Sequence, residues 1–223
     1  MEAIYNILQA ILTWCDLICG NFLVAIVFFT FLSKIILLPV TIWVQKNSIK
    51  LVKMTPEINR IKIQYFGDRD IIAEEEQKIY KINGYNPFVS IIPMFVQIFL
   101  LIILIGTIHQ VIDQEAVSLN VWKIDLAAIP SQIGGWYYLS PILAGLSAYL
   151  LSMSQNRANI LQAEQTKGMQ YGTMLFSVGL SLYLGFFVQI AIVVYWISSN
   201  LLSIMQQYVL NWVINPKKYV DFE

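Results

Sequence analysis

The chain has 223 residues, of which 57% are hydrophobic and 13% are charged, and its formal net charge at pH 7 is zero. Soluble domains carry about 25% charged residues, so this chain has roughly half of the usual supply of solvating side chains. The composition argues against an ordinary soluble domain and predicts an all-α integral membrane protein.

The first segment, residues 1–21, contains no Lys or Arg. A cleavable signal peptide begins with a basic region, so we expect none here. The segment instead predicts an amphipathic helix that lies at the membrane interface ahead of the first span. Cys15 and Cys19 are interpreted as small apolar residues, since no further Cys or His lies near them as a metal ligand. We expect neither a metal nor a cofactor.

Five apolar stretches are predicted to cross the membrane, because about 30 Å of hydrocarbon takes roughly 20 helical residues. Together they form the predicted core, 22–213, and they cover residues 22–44, 88–112, 138–154, 169–185 and 187–213. The fourth and fifth must join in a tight turn, which we expect near Tyr183 to Phe187. In the fourth, the small-xxx-small match from Gly168 to Gly172 predicts close helix packing.

The segment between the first two spans, residues 45–87, is predicted to form an antiparallel helical hairpin. Apolar residues recur at spacings of three and four in its first half, at Leu51, Met54, Ile58, Ile61 and Tyr65. Gly67 and Asp68 then supply a stop and a start signal, and a second helix is expected to run to about Ile82.

The opposite face of the first hairpin helix is basic, with Lys46, Lys50, Lys53 and Arg60. Two interpretations of this face stay open. It is a solvated connector, or it contacts anionic lipid headgroups or an acidic partner.

Basic residues also predict the orientation of the chain. The hairpin holds eight of the fourteen Lys and Arg, whereas residues 113–137 hold only Lys123. The positive-inside rule therefore places the N-terminus outside and the short tail, residues 214–223, in the cytoplasm.

Lys34 is unusual because it lies 12 residues into the first predicted span. An ammonium near the bilayer centre costs roughly 2.5–3.5 kcal/mol on insertion scales, and the five spans contain no Asp or Glu to pair with it. We interpret Lys34 as facing a hydrated cavity, which would also be lined by polar residues of three spans: Thr30, Ser33, Gln97, Ser198, Ser199, Asn200 and Ser203. The alternative for the uncharged members is that they hydrogen-bond the helices together.

No enzyme site is expected. The only histidine, His109, is predicted at the outer edge, and we find no nucleophile–base pair, Gly-rich phosphate loop or metal-ligand cluster. No nucleic-acid partner is expected either.

Two segments resemble the signature segments of the YidC/Oxa-type membrane protein insertases. They are "GYNPFVSIIPMFVQIFLL" (Gly84 to Leu101) and "YWISSNLLSIMQQ" (Tyr195 to Gln207). The resemblance, which extends from about residue 15 to 212, implies a five-span core with a hydrophilic groove that is open to the cytoplasm and to lipid. It also implies that Lys34 stands where an arginine is usual, with Thr30, Gln97 and Trp196 as groove positions. Lysine keeps the charge but lacks the planar fork of arginine.

The predicted function is that of an insertase or chaperone without covalent chemistry. It would move short hydrophilic client segments through the groove, while apolar client helices slide past Phe95, Phe99 and Trp196 into lipid. The expected partners are newly made membrane proteins and anionic lipids, with a Sec translocon as a further candidate; no ribosome docking through the short tail is expected. The expected location is the bacterial plasma membrane.

Two alternatives stay open at this point. One is a specialised paralogue that serves a single partner complex. The other is a small anion transporter with Lys34 as its binding charge, although the sequence shows no internal repeat.

Overall fold

The computed structural model describes residues 2–113, 120–122, 124–158 and 167–214. Within these ranges it leaves out the side chains of residues 2–5, 90–91, 93–94, 97–98, 112–113, 158, 167 and 169. The predicted contributions of Lys123 and of the tail lysines, Lys217 and Lys218, to the charge asymmetry therefore lie outside the described residues.

The described chain is all-α apart from one short β-hairpin, as the composition predicts. Its helices are α1 (Glu2–Cys19), α2 (Phe22–Ile36), α3 (Leu38–Gln64), α4 (Arg69–Ile82), α5 (Ile92–Asp113), α6 (Pro130–Ile133), α7 (Leu139–Ala158), α8 (Lys167–Phe187) and α9 (Ile190–Val213). Two 3₁₀ helices cover Pro87–Ile91 and Gly135–Tyr138, and strands β1 (Asn120–Val121) and β2 (Ile124–Asp125) pair antiparallel.

One described helix, α9, is long and apolar enough to cross a membrane on its own, and α2 with α3 makes a second candidate when the two are counted as one span. Shorter apolar helical stretches cover Asn6–Cys19 and Phe99–Val111. By length and composition, the described helices thus supply one or two spans.

The chain divides into two units. The first unit comprises residues 1–36 and 97–208. Its core combines apolar side chains of α1, α2, α5 and α9, such as Leu12, Phe22, Leu104 and Ile192, all of which are fully buried. These helices pack together because each turns a large aliphatic or aromatic face toward the others.

A short segment after β2, Leu126 to Ala128, which we call the strap, covers the start of α9. The carbonyl oxygen of Ala128 accepts the Ile190 N–H at 3.0 Å, and that of Leu126 accepts the Ala191 N–H at 2.9 Å. The first amides of a helix have no partner within the helix, so the strap supplies the acceptors that they need.

Helices α7 and α8 pack closely at two glycines. A Cβ at Gly145 would lie 2.6 Å from Leu182 Cγ, and a Cβ at Gly185 would lie 2.9 Å from Pro141 Cα. Only a residue without a side chain allows the helices to approach so closely.

Gly168 and Gly172 do not have this role. Among the described residues, a Cβ at either position would meet nothing within 4 Å, so the predicted packing at this motif is not found between them. The spacing fits a helix contact, but no described neighbour packs against these two glycines.

Two helix boundaries also differ from expectation. The helix of the first span ends at Ile36 and a new one begins at Leu38, because Pro39 lies in the first turn of α3, where its missing N–H costs nothing. The turn before α9 falls at Val188 and Gln189 rather than within Tyr183 to Phe187, since α8 continues to Phe187.

The second unit comprises residues 37–96 and 209–223. Here α3 and α4 pack side by side around three buried side chains, Met54, Ile58 and Ile79. The turn between the two helices contains Gly67 at φ +96°, and the Asp68 carboxylate accepts the Ile71 N–H and caps α4.

Ion pairs support the same helices at their surface. Lys62 Nζ lies 3.1 Å from Glu76 Oε1 and joins α3 to α4. Within α4, the carboxylates of Glu75 and Glu74, at 2.7 and 3.0 Å, raise the pKa of Lys78. Pairs that are exposed to this extent contribute little to stability, so the apolar contacts hold the helices together.

Candidate functional site

Lys34 makes a defined polar contact. Its ammonium donates a hydrogen bond to the Ser203 hydroxyl oxygen at 2.8 Å, and both residues are half-buried. Lys34 lies in the last turn of α2, where the carbonyl end of the helix dipole favours a positive charge. The helix end at Ile36 therefore helps to place a cation where the surrounding residues are mostly apolar.

Thr30 and Ser33 lie on the same helix within one turn of Lys34. The Thr30 hydroxyl donates to the Ile26 carbonyl at 2.6 Å, and the Ser33 hydroxyl donates to the Phe29 carbonyl at 2.9 Å. Each oxygen keeps lone pairs that can accept a further hydrogen bond. Near Lys34 the two hydroxyls can therefore act as acceptors.

The polar run of α9 serves two different neighbours. Ser203 meets Lys34, whereas the Asn200 amide donates to the Ser147 hydroxyl on α7 at 3.0 Å. Ser199 is fully buried and hydrogen-bonds the Tyr195 hydroxyl. The structure thus joins Lys34 to Ser203 and uses Asn200 to link α7 and α9; the groove roles of Asn200 and Ser199 stay predictions.

Sequence reasoning grouped Ser203 with three other polar residues of the fifth span and did not single it out. It did not identify Ser147 at all. A serine inside an apolar run is a weak signal, because serine is common in membrane helices as a packing residue. Ser203 could have been found only by asking which residue of α9 lies level with Lys34.

Two phenylalanines near the start of α5 have exposed side chains. Phe95 is 64% exposed and Phe99 is 50% exposed, and their spacing of four places them on one face of the helix. Trp196 on α9 is half-buried. The Gln97 side chain lies outside the described residues, so its predicted groove position stays a prediction.

The four basic hairpin residues, Lys46, Lys50, Lys53 and Arg60, all have exposed side chains on α3. Lys50 also has an internal contact, since its ammonium donates to the Gly84 carbonyl at 2.8 Å. These exposed cations lie on the same helix as the buried Met54 and Ile58.

Comparison with known proteins gives one family. The sequence model of the 60Kd inner membrane protein family matches residues 14–218. A membrane protein insertase YidC of Fusobacterium nucleatum is 29% identical over 212 residues, which is 93% of this chain and 97% of that protein.

Two further relatives carry the same name. The YidC of Clostridium tetani is 29% identical over 184 residues, 82% of this chain and 78% of that protein. The YidC of Methylobacillus flagellatus is 29% identical over 203 residues, 90% of this chain but 34% of that much longer protein. The chain therefore spans nearly all of some relatives and about a third of others.

The family match covers most of the chain and includes both segments that carried the resemblance, and several relatives named as YidC insertases align over more than four-fifths of it. The chain belongs to the 60Kd inner membrane protein family, the YidC/Oxa-type membrane protein insertases of bacterial membranes.

Proposed function

We propose that this chain inserts membrane proteins and shields them as a chaperone, through a hydrated groove in the inner half of the bilayer. A short hydrophilic segment of a client would enter the groove from the cytoplasm. The apolar part of the client would then leave sideways into lipid. The insertase role follows from the family, whereas the groove mechanism is our inference from the residues around Lys34.

The observation that carries this mechanism is the contact between Lys34 and the Ser203 hydroxyl at 2.8 Å. A hydroxyl does not neutralise an ammonium, and the five proposed spans contain no Asp or Glu. A positive charge at this position favours the approach of an acidic client segment. In this mechanism Lys34 lowers the free-energy barrier for the segment that crosses.

The apolar route would use the exposed face of α5. Phe95 and Phe99 have exposed aromatic side chains that a client helix could contact, and Trp196 would be a further contact on α9. The transfer of about 20 apolar residues into lipid supplies the free energy of insertion. No other energy source is needed for a short translocated segment.

We further propose five spans, with the N-terminus outside, α1 at the outer interface, and the hairpin in the cytoplasm. The basic face of the hairpin would attract anionic lipid headgroups and acidic segments of newly made membrane proteins. Its four exposed cationic side chains support this proposal. A Sec translocon would be an optional partner.

The test is an insertion assay with the purified chain in liposomes, using a single-span client that has an acidic external tail. Protease protection of the tail measures insertion. We expect Lys34→Ala and Lys34→Met to slow insertion by about tenfold or more, since hydrogen bonds to charged groups contribute about 1.5–3 kcal/mol. Lys34→Arg should retain insertion because the charge remains.

The matched control is Lys81→Ala, which removes an exposed lysine of α4 that no step uses. It should insert like the wild-type chain. Equal insertion by all Lys34 variants would contradict the role of the charge. No insertion above empty liposomes by the wild-type chain would contradict the autonomous insertase and favour a paralogue that needs a dedicated partner.

A further inference from the structure

A buried asparagine of α3 holds the segment that leads from α4 into α5. The Asn47 side-chain amide donates to the Asn86 carbonyl at 2.8 Å, and the Asn47 side-chain oxygen accepts the Asn86 N–H at 3.2 Å. Asn47 is only 5% exposed. One side chain thus satisfies both main-chain groups of one residue 39 positions further along the chain.

An amide side chain can make both hydrogen bonds at neutral pH, because it carries a donor and an acceptor at its end. Aspartate would keep the acceptor, lose the donor and place a carboxylate against the Asn86 carbonyl. Alanine would leave both main-chain groups without these partners. The buried residue of the pair is Asn47, whose own polar atoms are satisfied by these two hydrogen bonds.

Neighbouring contacts hold the same short segment. Lys50, one turn after Asn47, donates to the Gly84 carbonyl at 2.8 Å, and Gly84 itself turns the chain with φ +59°. The Asn86 side chain accepts the Phe88 N–H at 3.0 Å and caps the 3₁₀ helix Pro87–Ile91. The segment is therefore fixed to α3 immediately before the chain enters α5.

This contact joins two features that the proposed function uses separately. Asn47 lies between the basic residues Lys46 and Lys50. Its partner Asn86 precedes the 3₁₀ helix that leads into α5, the helix that carries Phe95. All of these residues belong to the second unit. The contact therefore helps to set where Phe95 lies relative to the basic face of α3.

We propose that Asn47 is a positioning residue for insertion: its paired hydrogen bonds to Asn86 hold the segment that leads into α5 against α3, so that a client attracted by the basic face meets Phe95, within the same unit, in one fixed geometry. This inference rests on the proposed function. It assigns a role in insertion to Asn47, although this residue is neutral and buried.

The test compares Asn47→Asp with Asn59→Asp in the full chain in liposomes. Asn59 is an exposed residue of the same helix, so it receives the same charge without a buried partner. At about pH 7.5, Asn47→Asp should slow insertion by about fivefold to tenfold. Hydrogen exchange in a peptide that covers Asn86 should become faster by a similar factor, since the paired contact is broken.

Lowering the pH provides a second measurement. Insertion should recover at low pH only if Asn47→Asp has lost the hydrogen bond and has not misfolded. A protonated carboxyl has both an O–H donor and a carbonyl acceptor, and burial raises the pKa of a carboxyl group. At about pH 5, insertion and exchange protection of Asn47→Asp should return to within about twofold of the wild-type chain at the same pH. Asn59→Asp should match the wild-type chain at both pH values.

Faster exchange at Asn86 with unchanged insertion would overturn the positioning role while leaving the insertase intact. Slow insertion by Asn47→Asp at both pH values would also overturn it, because restoring a hydrogen-bond donor at position 47 would then not restore insertion. Wild-type chain that fails to insert would overturn the proposed function, and with it any role of Asn47 in insertion.

Discussion

Three buried or half-buried polar side chains each form a hydrogen bond with a residue that is distant in the sequence. Lys34 contacts Ser203, Asn200 contacts Ser147, and Asn47 contacts Asn86, over sequence separations of 169, 53 and 39 residues. Polar groups in apolar surroundings are costly unless they are paired, so each contact specifies one arrangement of the elements it joins. Polar contacts therefore specify which arrangement the helices adopt, whereas the burial of apolar area supplies the free energy that brings them together.

Glycine has the complementary role where α7 meets α8. We expect Gly185→Ala to destabilise the fold by about 1–3 kcal/mol, because the new methyl group would lie 2.9 Å from the Pro141 backbone and force the helices apart. Thermal unfolding in detergent should show a melting temperature lower by several degrees.

Gly172→Ala is the matched control on the same helix, since a Cβ there meets no described atom within 4 Å. It should leave the melting temperature unchanged or raise it slightly, because alanine favours a helix over glycine by about 0.5–1 kcal/mol. A larger loss from Gly172→Ala than from Gly185→Ala would contradict the packing described for α7 and α8.

At the scale of single elements, the pair of α3 and α4 depends on a small core. Met54, Ile58 and Ile79 are its buried members, and Leu51, Ile61, Tyr80 and Tyr85 pack around them. So few apolar contacts give a local stability below that of a larger core. One truncation within the core should therefore loosen the whole pair.

Two isoleucines of α3 allow a direct comparison. Ile58 is 5% exposed, whereas Ile63 is 78% exposed. Ile58→Ala should destabilise the helix pair by about 2–4 kcal/mol and speed hydrogen exchange throughout α4. Ile63→Ala should change it by less than about 0.5 kcal/mol. Equal exchange in both variants would show that this core does not hold α4.

The apolar spacing of the hairpin residues Leu51, Met54, Ile58 and Ile61 could be read directly, because burial on one helix face imposes a period near 3.6. The role of Asn47 could not. A polar residue in a polar stretch does not interrupt the apolar periodicity. Its partner is a main-chain group, and every residue has one, so the sequence does not indicate which residue Asn47 contacts. The glycine motif failed for a related reason, since spacing shows that Gly168 and Gly172 share a face but not which neighbour that face meets.

The whole molecule combines a predominantly apolar chain with basic residues concentrated in one segment. Eight of its fourteen Lys and Arg lie between residues 45 and 87. Such a distribution determines orientation during synthesis, because cationic loops stay on the cytoplasmic side. The proposed topology can therefore be tested without any functional assay.

We expect opposite accessibility for two exposed positions, Trp122 and Glu74, in a chain whose two native cysteines are replaced by alanine. A membrane-impermeant maleimide should label Trp122→Cys in intact cells and Glu74→Cys only after lysis. Labelling of Glu74→Cys in intact cells would reverse the orientation, and labelling of both would contradict the number of spans between them.

The strap over the start of α9 affects which solutes this helix end can attract. Exposed amides at a helix start form a natural site for phosphate or carboxylate. Here the carbonyls of Leu126 and Ala128 already occupy the amides of Ala191 and Ile190. An inorganic anion arriving from outside would have to displace neutral main-chain acceptors before it met any positive field at this helix. In the proposed topology this end of α9 lies outside, and there its first amides would not bind small anions, which argues against a transporter that loads anions at this helix end.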